Sequence, residues 1–109
     1  MKIKAAVLRE RGKSTPYVNS QPLSIEEVEL DPPQSGEVLV KIKAAGLCHS
    51  DLVAISGERA KPIPMVIGHE ACGEVCELGA DVKDVSIGDH VVPVYVAKCG
   101  NCEMCQEGR

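Results

Sequence analysis

The chain has 109 residues, one domain's worth at the usual size of roughly 100–200 residues. Its residues are 44% hydrophobic, but with two Tyr, no Trp and no Phe, so Val, Ile, Leu and Ala must fill the core. A net charge of -4 and the shortage of aromatic rings exclude a nucleic-acid partner, since basic footprint and stacking platform are both missing, and no apolar run approaches the ~20 residues of a membrane span.

Met1-Lys2-Ile3-Lys4 has neither the apolar run nor the small-residue cleavage site of a signal peptide. The chain is therefore expected in the cytoplasm, where its six cysteines read as metal ligands or catalytic groups rather than disulfides. Ile3, Ala5 and Val7 alternate with Lys2, Lys4 and Ala6, the period of a half-buried strand. Glu10–Gln21 is polar, carries Gly12 and Pro16, and reads as an irregular crossing. Ser24–Leu30 reads as a second strand with Glu26, Glu27 and Glu29 on a solvated face; Asp31-Pro32-Pro33-Gln34-Ser35-Gly36 breaks it. Glu37–Ala45 is the clearest strand, with Val38, Val40, Ile42 and Ala44 on one face. A short helix is expected over Asp51–Ser56, opened by His49 or Ser50 and stopped at Gly57. An extended Lys61-Pro62-Ile63-Pro64 loop leads to a strand over Ile67–Leu78, where Gly73 marks a bulge or a close backbone approach. Cys72 and Cys76 lie four apart on that strand and read as packing residues. After two turns, the second ending at Asp89, whose side chain is expected to satisfy turn amides, His90–Val96 reads as the last strand. His90 is expected to be structural. Many short strands and one short helix suggest a β-barrel or sandwich.

Two places carry chemistry. Cys99-Gly100-Asn101-Cys102-Glu103-Met104-Cys105 sets three thiols at C-x2-C-x2-C spacing in a loop where Gly100 permits a turn. A redox loop and an iron–sulfur run are the alternatives, but a structural zinc site short of its fourth ligand fits best. Its three sulfurs should then lie near 3.8 Å apart, as Zn–S bonds of about 2.3 Å in a tetrahedron require. The second place is dispersed: Cys48-His49-Ser50-Asp51 after one strand, and Gly68-His69-Glu70 after the proline loop. Cys and His suit zinc, yet a lone Cys and His in a barrel are more often packing and surface residues, and spacing does not bring Cys48 to His69.

Taken together, these segments resemble the zinc-containing alcohol dehydrogenases of the medium-chain dehydrogenase superfamily. Gly68-His69-Glu70 followed by Gly73, Gly79 and Val82 is similar to that family's G-H-E signature; Cys48-His49-Ser50-Asp51 is similar to its C-[HR]-[ST]-D; Cys99, Cys102 and Cys105 match the first three ligands of its structural zinc lobe. The resemblance implies a mainly β fold, a GroES-like irregular β-barrel with one short helix and a cysteine-rich zinc lobe at its C-terminal end. Residues 1–109 would be part of the catalytic domain, with 93–109 the start of the lobe. It implies oxidation of a small alcohol to an aldehyde or ketone by hydride transfer to NAD or NADP, and a homo-oligomeric full-length form.

Residue roles follow from the same resemblance. Cys48 and His69 would bind catalytic zinc, with Glu70 as an alternate ligand; Cys99, Cys102 and Cys105 would bind structural zinc. Asp51 would orient His69, Ser50 would take the alcohol proton, and His49 would contact the cofactor pyrophosphate. Asp51 should then lie within reach of His69, and Cys48 Sγ and His69 Nε2 should lie within roughly 4 Å of one another. Three departures stand out. Leu52-Val53-Ala54 carries no relay histidine, the family's third catalytic-zinc ligand lies further along than this chain runs, and no G-x-G-x-x-G is present. The expectation is thus an incomplete dehydrogenase, inactive alone, with residues after Ala97 least ordered. A stand-alone, non-catalytic zinc-binding module with a co-chaperonin-like barrel is the rival reading, and a zinc-free quinone reductase a third.

Overall fold

The computed structural model describes residues 1–96 and 98–108; of the expected lobe over 93–109, Ala97 and Arg109 lie outside the described residues. Alternation at the N-terminus yields strand β1, Lys2–Leu8, paired antiparallel with β2, Leu23–Glu29, from Lys2↔Glu29 to Leu8↔Leu23. Between them the expected crossing contains a single helical turn, α1, Tyr17–Ser20. The three glutamates of β2 do not share one solvated face. Glu27 pairs with Lys2 at 2.8 Å, Glu29 with the N-terminal ammonium at 3.1 Å, and the half-buried Glu26 with Arg9.

Strand β3, Val38–Gly46, does not keep the alternation its sequence suggests: it slips register between Leu39 and Val40 and again between Ile42 and Ala44, and from Lys41 onward its residues are exposed. The partner strand explains part of this. Ile42 faces Gly73 of β5, Glu70–Leu78, and a Cβ at Gly73 would sit 2.5 Å from the Lys41 carbonyl oxygen. Only glycine lets the two backbones approach so closely. The expected close approach is at Gly73, and the irregularity is carried by β3.

After β3 comes the helix α2, His49–Ser56, longer at its start than Asp51 because Cys48 is its N-cap; Gly57, at φ 84°, ends it. The chain returns through the proline loop to a short strand β4, Met65–Val66, which pairs with β1. The expected strand from Ile67 starts late. Ile67 donates its amide to Ala6 of the first sheet, at 3.1 Å, before Gly68, at φ 99°, turns the chain into β5. This left-handed turn between two sheets carries His69.

Two three-stranded sheets result, ordered β2-β1-β4 and β3-β5-β6, where β6 is His90–Val91. The last strand is much shorter than His90–Val96. Its ladder with β5 ends at Gly73↔Val91, and Pro93 has no amide with which to extend it. Asp89 does take the Ser86 amide, at 2.8 Å. Beyond the expected helix, a third helical turn, α3, Glu103–Gln106, follows Cys102.

Leu8, Ala54, Ile55 and Ile67 form the central cluster, clamping α2 onto the first sheet. Ala5, Val7 and Val75 complete the buried apolar set. Cys72 and Cys76 are exposed rather than packed: they lie on the face of β5 opposite Gly73 and Val75, and no described element covers it. Among the described residues no helix is long and apolar enough to cross a membrane.

Candidate functional site

The N-terminus of α2 and the Gly68 turn meet. Cys48, His69 and Glu70 each offer a donor atom, and these atoms all lie within 4.8 Å of one another. Cys48 and His69 are half-buried, whereas Glu70, the first residue of β5, is exposed.

Asp51 holds this arrangement. It is 4% exposed and is the third residue of α2. Its Oδ2 accepts the Cys48 amide at 2.9 Å, satisfying a donor that the helix start leaves unpaired. Its Oδ1 accepts the Gly68 amide at 3.5 Å and lies 3.2 Å from His69 Nδ1. One buried carboxylate therefore caps the helix, pins the turn and accepts a hydrogen bond from His69 Nδ1–H. That fixes the tautomer and leaves the Nε2 lone pair free for a metal or a proton. Ser50 Oγ stands 3.3 Å from that Nε2. His49 is exposed at the mouth of the same site.

A cavity of about 510 Å³ opens beside His69, and its polar lining includes His49, Ser50, Arg59 and Lys61. Tyr95 stacks on His69 with ring centroids 5.3 Å apart and planes tilted by 40°. Neither Tyr95 nor the two cations was singled out by the sequence reading. One of only two tyrosines, two residues after Pro93 in a chain without Phe or Trp, is the available signal for Tyr95; nothing in local periodicity marks Arg59 or Lys61.

Cys99, Cys102 and Cys105 gather separately, all three donor atoms within 4.8 Å. The Cys99 and Cys105 sulfurs are 3.9 Å apart. Amides of Asn101 and Cys102 aimed at Cys99 sulfur bring its pKa down to about 7, and the Gly100 amide does the same in direction for Cys105. Thiolates are what zinc binds.

Both donor sets fit zinc. A tetrahedral Zn–S site sets sulfurs near ~3.8 Å apart, matching the 3.9 Å of Cys99 and Cys105. A mixed sulfur, nitrogen and carboxylate set with an imidazole anchored by a carboxylate is the chemistry of an open, catalytic zinc site.

Residues 34–109 match the alcohol dehydrogenase GroES-like domain, and the chain belongs to that family. S-(hydroxymethyl)glutathione dehydrogenase of Synechocystis sp. is 46% identical over 110 residues, which cover 100% of this chain and 28% of the relative. The enzyme of the same name from Escherichia coli O1:K1 / APEC is 44% identical over the same share of each chain. Among solved structures, the alcohol dehydrogenase zinc-binding domain protein from Burkholderia ambifaria superposes with a TM-score of 0.85 at 40% identity, covering 99% of this chain and 27% of that one. Benzyl alcohol dehydrogenase from Acinetobacter calcoaceticus gives 0.82 at 34% identity, over 98% and 27%. The two sheets are thus a GroES-like barrel. The chain spans 28% of the length of the curated relatives it matches.

Proposed function

We propose that this chain is the metal-bearing, N-terminal part of a zinc-dependent alcohol dehydrogenase, acting on a small alcohol in the cytoplasm as part of a homo-oligomer. The observation that carries the reading is the convergence of Cys48, His69 and Glu70 around a histidine fixed by buried Asp51. Residues 1–109 form the catalytic-domain segment, and 93–109 open the cysteine lobe.

Cys48 Sγ and His69 Nε2 would hold the catalytic ion, with Glu70 as an exchangeable third ligand. When bound, zinc supplies Lewis acidity that lowers the pKa of an alcohol, and NAD or NADP supplies the hydride acceptor. Asp51 keeps the Nδ1 proton on His69, so that Nε2 stays a ligand rather than a base. Ser50 Oγ, beside Nε2, takes the alcohol proton. No imidazole follows within Leu52-Val53-Ala54, so that proton passes from Ser50 directly to water at the cavity mouth. His49 at the same mouth contacts the cofactor pyrophosphate. Tyr95 packs its ring against that of His69. Cys99, Cys102 and Cys105 would hold a second, structural ion.

Cobalt(II) in place of zinc tests this. The 109-residue protein is expected to bind two ions with tetrahedral visible absorption. His69→Ala should remove one and Cys102→Ser the other. Trifluoroethanol should shift only the spectrum of the His69-dependent ion. Cobalt confined to the cysteine lobe, or a spectrum that trifluoroethanol leaves unmoved, would leave the non-catalytic zinc module as the reading.

A further inference from the structure

Among the described residues none after Val91 is buried, and α3 buries none of its own. The cysteine lobe therefore takes its shape from local contacts. The Cys102 amide donates to Cys99 Sγ at 3.4 Å, the Gln106 side-chain amide to the Asn101 carbonyl at 3.3 Å, and the Gln106 backbone amide to the Cys102 carbonyl at 3.0 Å. None of these contacts is a metal bond, so they keep the three sulfurs turned together whether or not an ion is bound. Cys99 and Cys102 are exposed and Cys105 is half-buried, all within reach of small molecules in solution.

Such a cluster suits a second chemistry. The Cys99 and Cys105 sulfurs are 3.9 Å apart, so about 2 Å of closure brings them to the ~2.05 Å of a disulfide bond. Gly100, next to Cys99, has open space where a side chain would be, and no packing there opposes the movement. The other cysteines have no comparable partner. Cys72 and Cys76 lie four residues apart on β5, about 13 Å at ~3.3 Å per residue, beyond the roughly 7 Å that a disulfide spans between Cα atoms. Cys48 meets His69 and Glu70 rather than a second sulfur. Exposed disulfides are the labile ones that exchange with small thiols.

We propose that Cys99 and Cys105 form a reversible disulfide that competes with the metal, so that the lobe trades its ion for a sulfur–sulfur bond when the surrounding thiol–disulfide couple turns oxidising. This rests on the structural-ion part of the reading above and adds regulation to it. The oxidant is a small disulfide such as oxidised glutathione. Starting from the two thiols, Cys99 sulfur attacks one glutathione sulfur; the glutathione S–S bond breaks, and one glutathione leaves with the Cys99 proton. Cys105 sulfur then attacks Cys99 sulfur in the mixed disulfide, and the second glutathione leaves with the Cys105 proton. Two cysteines are oxidised, and one glutathione disulfide is reduced to two thiols. Cys102 stays a free thiol. Sulfurs joined in a disulfide offer no thiolate to a metal, so the oxidised lobe releases its ion, while the Cys48–His69 site keeps its own.

The test exposes the zinc-loaded 109-residue protein to mixtures of oxidised and reduced glutathione. Free thiols are blocked with N-ethylmaleimide, disulfides are then reduced and labelled with iodoacetamide, and the label at each cysteine is read by mass spectrometry. Oxidising mixtures should leave the maleimide on Cys102 and the second label on Cys99 and Cys105. One zinc ion per disulfide should pass to a colorimetric chelator, and dithiothreitol with zinc should reverse both changes. Cys102→Ser should still form the disulfide, whereas Cys105→Ser should stop at a glutathione adduct on Cys99. Because the lobe lies outside the buried core, both variants should stay folded; if either unfolds, labelling and zinc release in the parent protein still decide. A main product that joins Cys102, a glutathione adduct as the end point in the parent, or zinc retained beside the Cys99–Cys105 bond would overturn the proposal. Cobalt spectra judge the ion separately. A Cys102-dependent cobalt ion without the disulfide overturns the proposal and leaves the structural-ion reading standing; a disulfide in a parent protein that binds no such ion overturns both.

Discussion

Asp51 serves the helix and the histidine through different oxygens, Oδ2 for the Cys48 amide and Oδ1 for His69. The two services can be separated. In Asp51→Asn the remaining carbonyl oxygen can still cap α2, but the amide nitrogen then faces the Gly68 amide and the Nδ1 proton, donor against donor. Metal affinity at the His69 site is expected to fall about 10–100-fold, the usual cost of losing a ligand's supporting contact. Stability of the metal-free protein should fall by only about 1–2 kcal/mol. Chelator competition measures the first, and thermal unfolding in EDTA the second; equal losses in both would mean that Asp51 acts on the fold alone. Cys48, His69 and Glu70, which the structure gathers, are legible in the sequence through the family resemblance of their motifs, since spacing alone does not bring Cys48 to His69. Why Asp51 is needed was less legible. Cysteine is not a usual N-cap, so the sequence points to a helix opened by His49 or Ser50 and does not show the carboxylate of Asp51 reaching back to the Cys48 amide.

At the level of strands, β1 and β2 are fastened by their charges as well as by their ladder. Arg9 lies just past β1 and grips Glu26 in two contacts of 2.8 and 2.5 Å, while Ser24 donates to the same carboxylate. The Arg9 guanidinium, then the Ser24 hydroxyl, bring the Glu26 pKa down from 4.5 to about 2. A carboxylate with a depressed folded pKa contributes stability above its unfolded pKa. That contribution is fully present above about pH 4.5 and fades as pH falls toward about 2. Glu26→Gln is therefore expected to be less stable than the parent at neutral pH, with the gap closing through that acid window and shrinking in salt. Urea unfolding of both proteins from pH 7 to pH 2 would show it; a gap independent of pH would assign the effect to packing. Strand boundaries for this pair are legible to within a residue or so, because alternation in β1 is regular and Ala5 and Val7 are buried on one of its faces. In β3 the same alternation misled. Period-two patterns predict faces only while register holds, and the close approach of Gly73 to Lys41 takes β3 out of register.

The whole molecule is extended for its size. Its radius of gyration is 16.3 Å, against about 13 Å for a compact domain of 100 residues. Val18, Ile25, Ile87, Val94, Tyr95 and Val96 stay open to solvent, while among the described residues the buried apolar set is Ala5, Val7, Leu8, Ala54, Ile55, Ile67 and Val75. Composition foretold aliphatic packing but not how little of it closes, since hydrophobic content says nothing about which faces find partners. Unfolding exposes little new surface, so the urea m-value is expected near the lower end of the usual ~1–3 kcal/mol/M. An m-value in the upper half of that range would mean that the chain buries in solution what this structure leaves exposed. Temperature follows from the same small core. Heat capacity on unfolding rises with the apolar area released, so the stability curve of this chain is broad and shallow. It has no sharp optimum, and cold is nearly as mild to it as warmth.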